Sequence, residues 1–404
     1  MQQRLETTTL WALLLLPLTI LPVLGLLTPY AALLVIIPLF FVTLFRRQFF
    51  SAYLSYTARA FLFVFVVQAV LFTITADSVS DALKSFNFTM ILAYGAIAWF
   101  LERHTAPDAI RRVTWLAGIG VLLGLLAVAV SAFIDHSARP RAFNVGPIVL
   151  SNGLLALGFL SLGGALVRRS RWDWLYLLPP LLAVVTTLLT QSRGPLIGLP
   201  FAALAAAIFF WRYRFAGSLR AALIGLGGLI VLGGAGAYFV LHGRGKSLPA
   251  TIDSIMAGGA VADESTRQRL VLYRAGWHAF EQSPWIGHGW GNIMSSALPY
   301  LPWQDRWLIH LPQLHNDVLN FAVAGGVIGI VLYFVILTAP LIGALLSPRD
   351  ALRPFRLYAT TVITIVYAGG GLTDLMFGFE FHTFLFVMLA AIILGYCRET
   401  PAAA

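Results

Sequence analysis

Charge is what this chain lacks most. Acidic and basic residues make up 11% of its 404 residues, where a water-soluble domain carries roughly 25%. That deficit, with 59% hydrophobic residues in its place, excludes a set of soluble domains, a disordered chain and a coiled coil. Cysteine is nearly absent as well: Cys397 stands alone, so neither an internal disulfide nor a multi-cysteine zinc site is available. Lysine is reduced to Lys84 and Lys246 among 27 basic residues. An Asp-x-Asp pair, the usual acidic seat for a divalent metal beside a phosphate, occurs nowhere in the sequence.

What the chain has is long apolar runs. A membrane-spanning helix needs about 20 mostly apolar residues, and about twelve runs qualify: 10–27, 29–45, 59–75, 87–101, 113–133, 146–167, 174–190, 194–211, 221–240, 317–346, 356–373 and 379–397. The expectation is an all-α integral membrane protein, one polytopic domain over 1–404. A long loop, 242–316, joins spans nine and ten and carries helices lying at the membrane surface. The first run follows Arg4 and reads as an uncleaved anchor.

The formal net charge of +10 would suggest nucleic acid in a soluble protein. In a membrane protein it first marks topology, because cytoplasmic loops collect Lys and Arg, and no nucleic-acid partner is expected. With both termini in the cytoplasm, 17 of the 27 basic residues fall on inner connections. Ten are left on the outer side: Lys84, Arg139, Arg141, Arg193, Arg244, Lys246, Arg267, Arg269, Arg274 and Arg306. They gather where the long loop meets two short outer connections.

That loop holds Trp277, Trp285, Trp290, Trp303, Trp307, Tyr273 and Tyr300, a density that suits helices at the headgroup boundary. Residues 263–282 read as a helix, with Asp263, Glu264 and Ser265 in its first turn and Ser283-Pro284 ending it. The run Pro284-Trp285-Ile286-Gly287-His288-Gly289-Trp290-Gly291-Asn292 follows no strand and lacks a closing lysine. It reads as a tight turn rather than a phosphate cradle.

Three outer constellations carry chemistry. In Thr190-Gln191-Ser192-Arg193-Gly194-Pro195, an arginine sits between two apolar helices, where it either faces a polar cavity or snorkels to the interface. Gly194 is expected to allow the sharp turn, and Pro195 suits the first position of the next helix. On the helix 263–282, at ~100° per residue, Arg267, Arg274 and His278 share one face, while Arg269 lies opposite with Tyr273 and Phe280. Only one face can line a site. In Gln313-Leu314-His315-Asn316-Asp317, the imidazole can take a proton near neutral pH, and Asn316 or Asp317 can cap the helix that follows. Asp374, at the outer end of span eleven, either orients His315 or an arginine or is a plain helix-end charge.

In order and spacing, Ser192-Arg193-Gly194, then Arg269 leading to Pro284-x-x-Gly287-x-Gly289, then His315-Asn316, resembles the O-antigen ligase and polymerase superfamily over about 190–330. The resemblance implies a GT-C-like glycosyltransferase of the bacterial inner membrane, with its active site at the periplasmic face and no cofactor or metal. Its donor would be a glycan on undecaprenyl diphosphate. For a ligase, the acceptor would be the lipid A–core oligosaccharide. The implied catalytic set is His315 as base with Arg193, Arg269 and Arg267 on the diphosphate. Arg139, Arg141, Arg274, Asp374, Gln313 and Asn316 count as substrate-side groups. A polymerase with a lipid-linked acceptor, a protein-directed oligosaccharyltransferase and, from another class, a secondary transporter remain alternatives.

Overall fold

The computed structural model describes residues 2–45, 49–135, 140–142, 144–167, 172–214, 227 and 264–399. Almost everything described is helical, and no strand occurs among these residues beyond an isolated bridge between Ala142 and Val145. The chain is an all-α integral membrane protein. Among the described residues, seven helices are long and apolar enough to cross a membrane: α1 (Gln3–Leu24), α2 (Leu27–Phe45), α3 (Tyr56–Ile74), α5 (Ala109–Ile134), α6 (Pro147–Val167), α8 (Gly194–Arg214) and α10 (Asp317–Leu346). Two shorter apolar helices, α7 (Asp173–Leu189) and α12 (Glu380–Tyr396), join α4 (Thr89–Arg103) and α11 (Arg353–Gly371) to complete the bundle. These eleven match eleven of the twelve runs read from the sequence. The remaining run, 221–240, lies outside the described residues but for Gly227.

Helix α6 is the central post, with 89% of its apolar window buried. Its glycines let neighbours approach: a methyl at Gly158 would sit 3.0 Å from the Pro179 carbonyl of α7. The peripheral helices leave large apolar side chains uncovered, Leu34 on α2 and Phe133 on α5 among them. Exposure on that scale is costly in water and suits contact with lipid tails.

The bundle has two chemically different ends. One carries ion pairs between Arg214 and Asp173 and between Arg398 and Glu102. At this end the fully buried Arg356 guanidinium donates to Asp350, to Ser347 and to the carbonyls of Pro348 and Cys397. Of the arginines expected on the inner side, Arg46, Arg47, Arg168, Arg169, Arg171 and Arg220 fall outside the described residues.

At the opposite end lies the described part of the long loop, led by α9 (Glu264–Gln282), within a residue of the helix expected from its sequence. α9 buries Leu272, Ala275, Gly276 and Ala279, spaced as one helical face. Gly276 is needed there, since a methyl would fall 2.7 Å from Leu314 and 2.9 Å from Leu319 at the head of α10.

The glycine-rich turn after α9 is built into α10. That helix breaks at Gly326 (φ 61°, ψ −150°), a conformation essentially confined to glycine. The break frees backbone groups, and the turn takes them up. His288 and Gly289 N–H donate to the Val323 and Ala324 carbonyls at 2.9 Å, and Val327 N–H donates to the Pro284 carbonyl at 2.8 Å. Irregular backbone at such depth requires internal partners. Two of the turn's amides, those of His288 and Gly289, are therefore spent on α10. Trp290 then anchors it against Phe88 and Phe321, with ring centroids 4.8 and 5.2 Å away.

Candidate active site

Two residues other than glycine, Gln191 and His315, adopt left-handed backbone among the described residues, with φ of 52° and 57°. Such conformations are strained for side-chain-bearing residues and cluster at functional sites. Both stand at the end of the bundle that holds α9.

Gln191 ends α7. Its N–H donates to the Leu188 carbonyl at 3.0 Å and Ser192 N–H to the Thr187 carbonyl at 3.1 Å, the paired bonds of a Schellman cap. Beneath the cap, the buried hydroxyls of Ser151, Thr190 and Ser192 run in a chain with 2.9 Å spacings. The sharp turn expected at Gly194 is thus made at Gln191. Gly194 serves instead to admit Thr373, because a methyl there would lie 2.2 Å from the threonine Oγ1. This close approach sets Arg193 beside the 372–379 connection, which carries Asp374. The following helical segment, Gly194–Ile197, begins at Gly194, so Pro195 holds its second position rather than the first.

His315 is held through its backbone and its ring. The Tyr273 hydroxyl donates to the His315 carbonyl at 2.8 Å, with the Leu372 carbonyl 3.1 Å away. The imidazole Nδ1 faces Asp374 Oδ1 at 3.5 Å, with 27% of the histidine side chain still exposed. Gln313 Nε2 donates to the same carboxylate oxygen at 2.9 Å. Gln313 is itself fixed by Asn320, whose amide donates to its Oε1 at 3.3 Å. Asn316 caps α10, accepting from Leu319 N–H at 3.0 Å, and its amide donates to the Leu372 carbonyl. Asp317 turns inward, accepting from Met376 N–H at 2.9 Å. The capping role left open between the two therefore falls to Asn316, while Asp317 pins the connection bearing Asp374.

Burial works against ionisation of Asp374. The hydrogen bond to His315 and the nearby imidazoles of His382 and His315 outweigh it, so the carboxyl stays below its usual range. Burial pushes the Tyr273 phenol up; Arg269 opposes that shift and Asp374 adds to it. Tyr273 therefore lies within electrostatic reach of both residues, which ties the Arg269 flank of α9 to the histidine.

The two arginines kept together from the sequence part company here. Both forks of Arg267 are filled, by Glu264 (2.8 Å twice) and by Asp305 (2.8 and 3.0 Å). These carboxylates hold its proton more tightly than usual. Arg269 makes no hydrogen bond or ion pair among the described residues. Arg274 is exposed on the outward face of α9 with His278, which pairs with Glu281. Arg141 is exposed, its backbone N–H bonded to Ser131, and neither it nor Arg274 contacts His315 or Asp374. Arg139, Arg244 and Lys246 lie outside the described residues. Tyr273 and Thr373 are the residues that sequence reasoning passed over. The one signal was Tyr273 lying four residues after Arg269, one helical turn along the same face.

The arrangement offers an oriented imidazole with a carboxylate behind it and guanidinium groups at the same end of the bundle. That set suits proton removal from a hydroxyl beside a phosphate leaving group. Residues 179–334 match the family described as O-antigen ligase, a stretch that contains Arg193, α9, the glycine-rich turn and His315. No curated protein matches the chain.

Proposed function

We propose that this chain, matched to the O-antigen ligase family over 179–334, is the ligase of that superfamily. It would move a glycan from undecaprenyl diphosphate to the lipid A–core oligosaccharide at the periplasmic face of the inner membrane, with both termini in the cytoplasm. Asp374 accepts a hydrogen bond from the Nδ1–H of His315, which holds Nε2 with its lone pair toward the acceptor. Nε2 takes the proton of the acceptor hydroxyl. The oxygen attacks the anomeric carbon from the side opposite the diphosphate, the carbon–oxygen bond to the diphosphate breaks with its electron pair, and the configuration inverts. Arg193 and Arg269 offset the negative charge that develops on the leaving group, since the guanidinium fork matches phosphate oxygens. Arginine supplies the compensation that a divalent metal gives elsewhere, and transfer is expected to survive excess chelator. Arg141 and Arg274 stay further out, available to the glycan rather than to the reacting bond, while Arg267 is committed to Glu264 and Asp305.

The observation that carries this reading is the His315–Asp374 pairing at 3.5 Å, in a strained backbone clamped by Tyr273 on the Arg269 side of α9. The test is the lipopolysaccharide gel of a strain lacking the protein. A ligase predicts loss of the ladder with polymer accumulating on the lipid carrier. Core bearing a single repeat unit would make it the polymerase, and unchanged glycan would overturn the enzymatic reading.

A further inference from the structure

At the end of the bundle opposite His315, a crevice of about 390 Å³ opens between the α3–α4 and α10–α12 pairs. Its base is polar, with Thr57 and the buried Tyr94. Its mouth is apolar on two sides: Leu54 and Leu346 line it yet remain 68% and 67% exposed. Glu102 and Arg398 pair across the rim. Two donors on its lining residues, Trp99 Nε1 and Arg398 Nε, are buried with no hydrogen-bond partner among the described residues. Burying such donors unmade costs free energy, and their complement is a group made of acceptors only.

Positive charge outnumbers negative around the mouth. Arg103 stacks on Trp99 at 3.9 Å from the ring centroid. Arg353 donates to the Leu345 carbonyl next to Leu346, and Arg59 lies one turn beyond Ser55 on α3. Glu102 is offset by Arg398, and Glu399 accepts from Ala351 N–H, so a cationic excess remains. An acceptor-only, anionic head joined to an apolar chain that leaves between two exposed leucines describes one occupant.

We propose that this crevice seats the phosphodiester head and upper acyl chain of an anionic glycerophospholipid. The seat is independent of the transfer chemistry at the other end. The test is lipid binding to the purified full-length protein, read by native mass spectrometry and by unfolding temperature. Phosphatidylglycerol, phosphatidylcholine and inorganic phosphate are titrated separately. Phosphatidylglycerol is expected to bind one to one and raise the unfolding temperature, while the other two do neither. Arg398→Gln should weaken binding roughly tenfold, the equivalent of one lost hydrogen bond to a charged group. Ala98→Phe, which fills the crevice without touching a charge, should abolish it. Trp99→Phe keeps an aromatic ring at the site while removing the indole N–H, so it gives a second reading should the filled variant fold poorly; it should weaken binding severalfold. Undiminished binding in these variants, equal stabilisation by phosphatidylcholine, or stabilisation by inorganic phosphate alone would each overturn the assignment.

Discussion

The imidazole Nδ1 of His315 lies 3.5 Å from Asp374 Oδ1, although the two residues come from opposite ends of a helical hairpin, before α10 and after α11. Gln313, from the histidine's own segment, steadies the same carboxylate oxygen at 2.9 Å. Asp374→Asn keeps the shape and removes the charge. Losing a charge-assisted bond of about 1.5–3 kcal/mol should lower the transfer rate roughly 10- to 100-fold, with donor affinity unchanged. Single-turnover transfer and donor binding, measured on the same variant, check this.

The pH dependence follows from the direction of the Asp374 shift. A carboxyl held below its usual range in the folded state contributes stability above that range and loses it as pH falls through the lowered value. Above about pH 5, past the usual carboxylate range, Asp374 is therefore ionised. A fall in transfer between neutral pH and that point would therefore come from a group other than Asp374. Asp374→Asn should retain such a limb; a limb that disappears in this variant would show that the carboxylate carries it.

Arg269 and Arg267 should separate in function. Arg269→Ala is expected to cut transfer roughly 10²–10³-fold, the scale of losing one preorganised charge-stabilising donor, and lysine should rescue only in part. Arg267→Ala should keep most of the activity and instead loosen the 303–310 segment that Asp305 anchors. Hydrogen exchange over those residues, beside transfer rates for both variants, distinguishes the two.

Gly194→Ala forces a methyl toward Thr373 Oγ1. Overpacking of this kind costs about 1–3 kcal/mol, and here it should push Arg193 away from the Asp374 connection and depress transfer. Thr373→Ala, placed in the same chain, removes the opposing oxygen and should restore part of the loss. Additive effects in the double variant would break the link between the turn and the connection.

The spans were legible because apolar runs of the right length alternate with arginine-rich connections, and physics leaves such runs little choice but helices. The place of His315 at the head of an apolar helix was legible, and its pairing with Asp374 was one of two readings the sequence left open. The sharp turn expected at Gly194 falls at Gln191 instead, and nothing local in the sequence points to Gln191. Choosing between Arg267 and Arg269 required knowing where Asp305 folds back, 38 residues along the chain. The service of the glycine-rich turn to the broken α10 was equally out of reach, since the break at Gly326 hides inside an otherwise continuous apolar run.

Central to the proposed mechanism is a division of labour in which His315 would move the proton while the arginines would hold the diphosphate. The most direct measurement pairs donor affinity with single-turnover transfer in His315→Ala. The prediction is unchanged donor binding with transfer reduced roughly 10²–10⁴-fold, the range for a lost acid–base group. Near-normal transfer, or donor binding lost together with transfer, would contradict it.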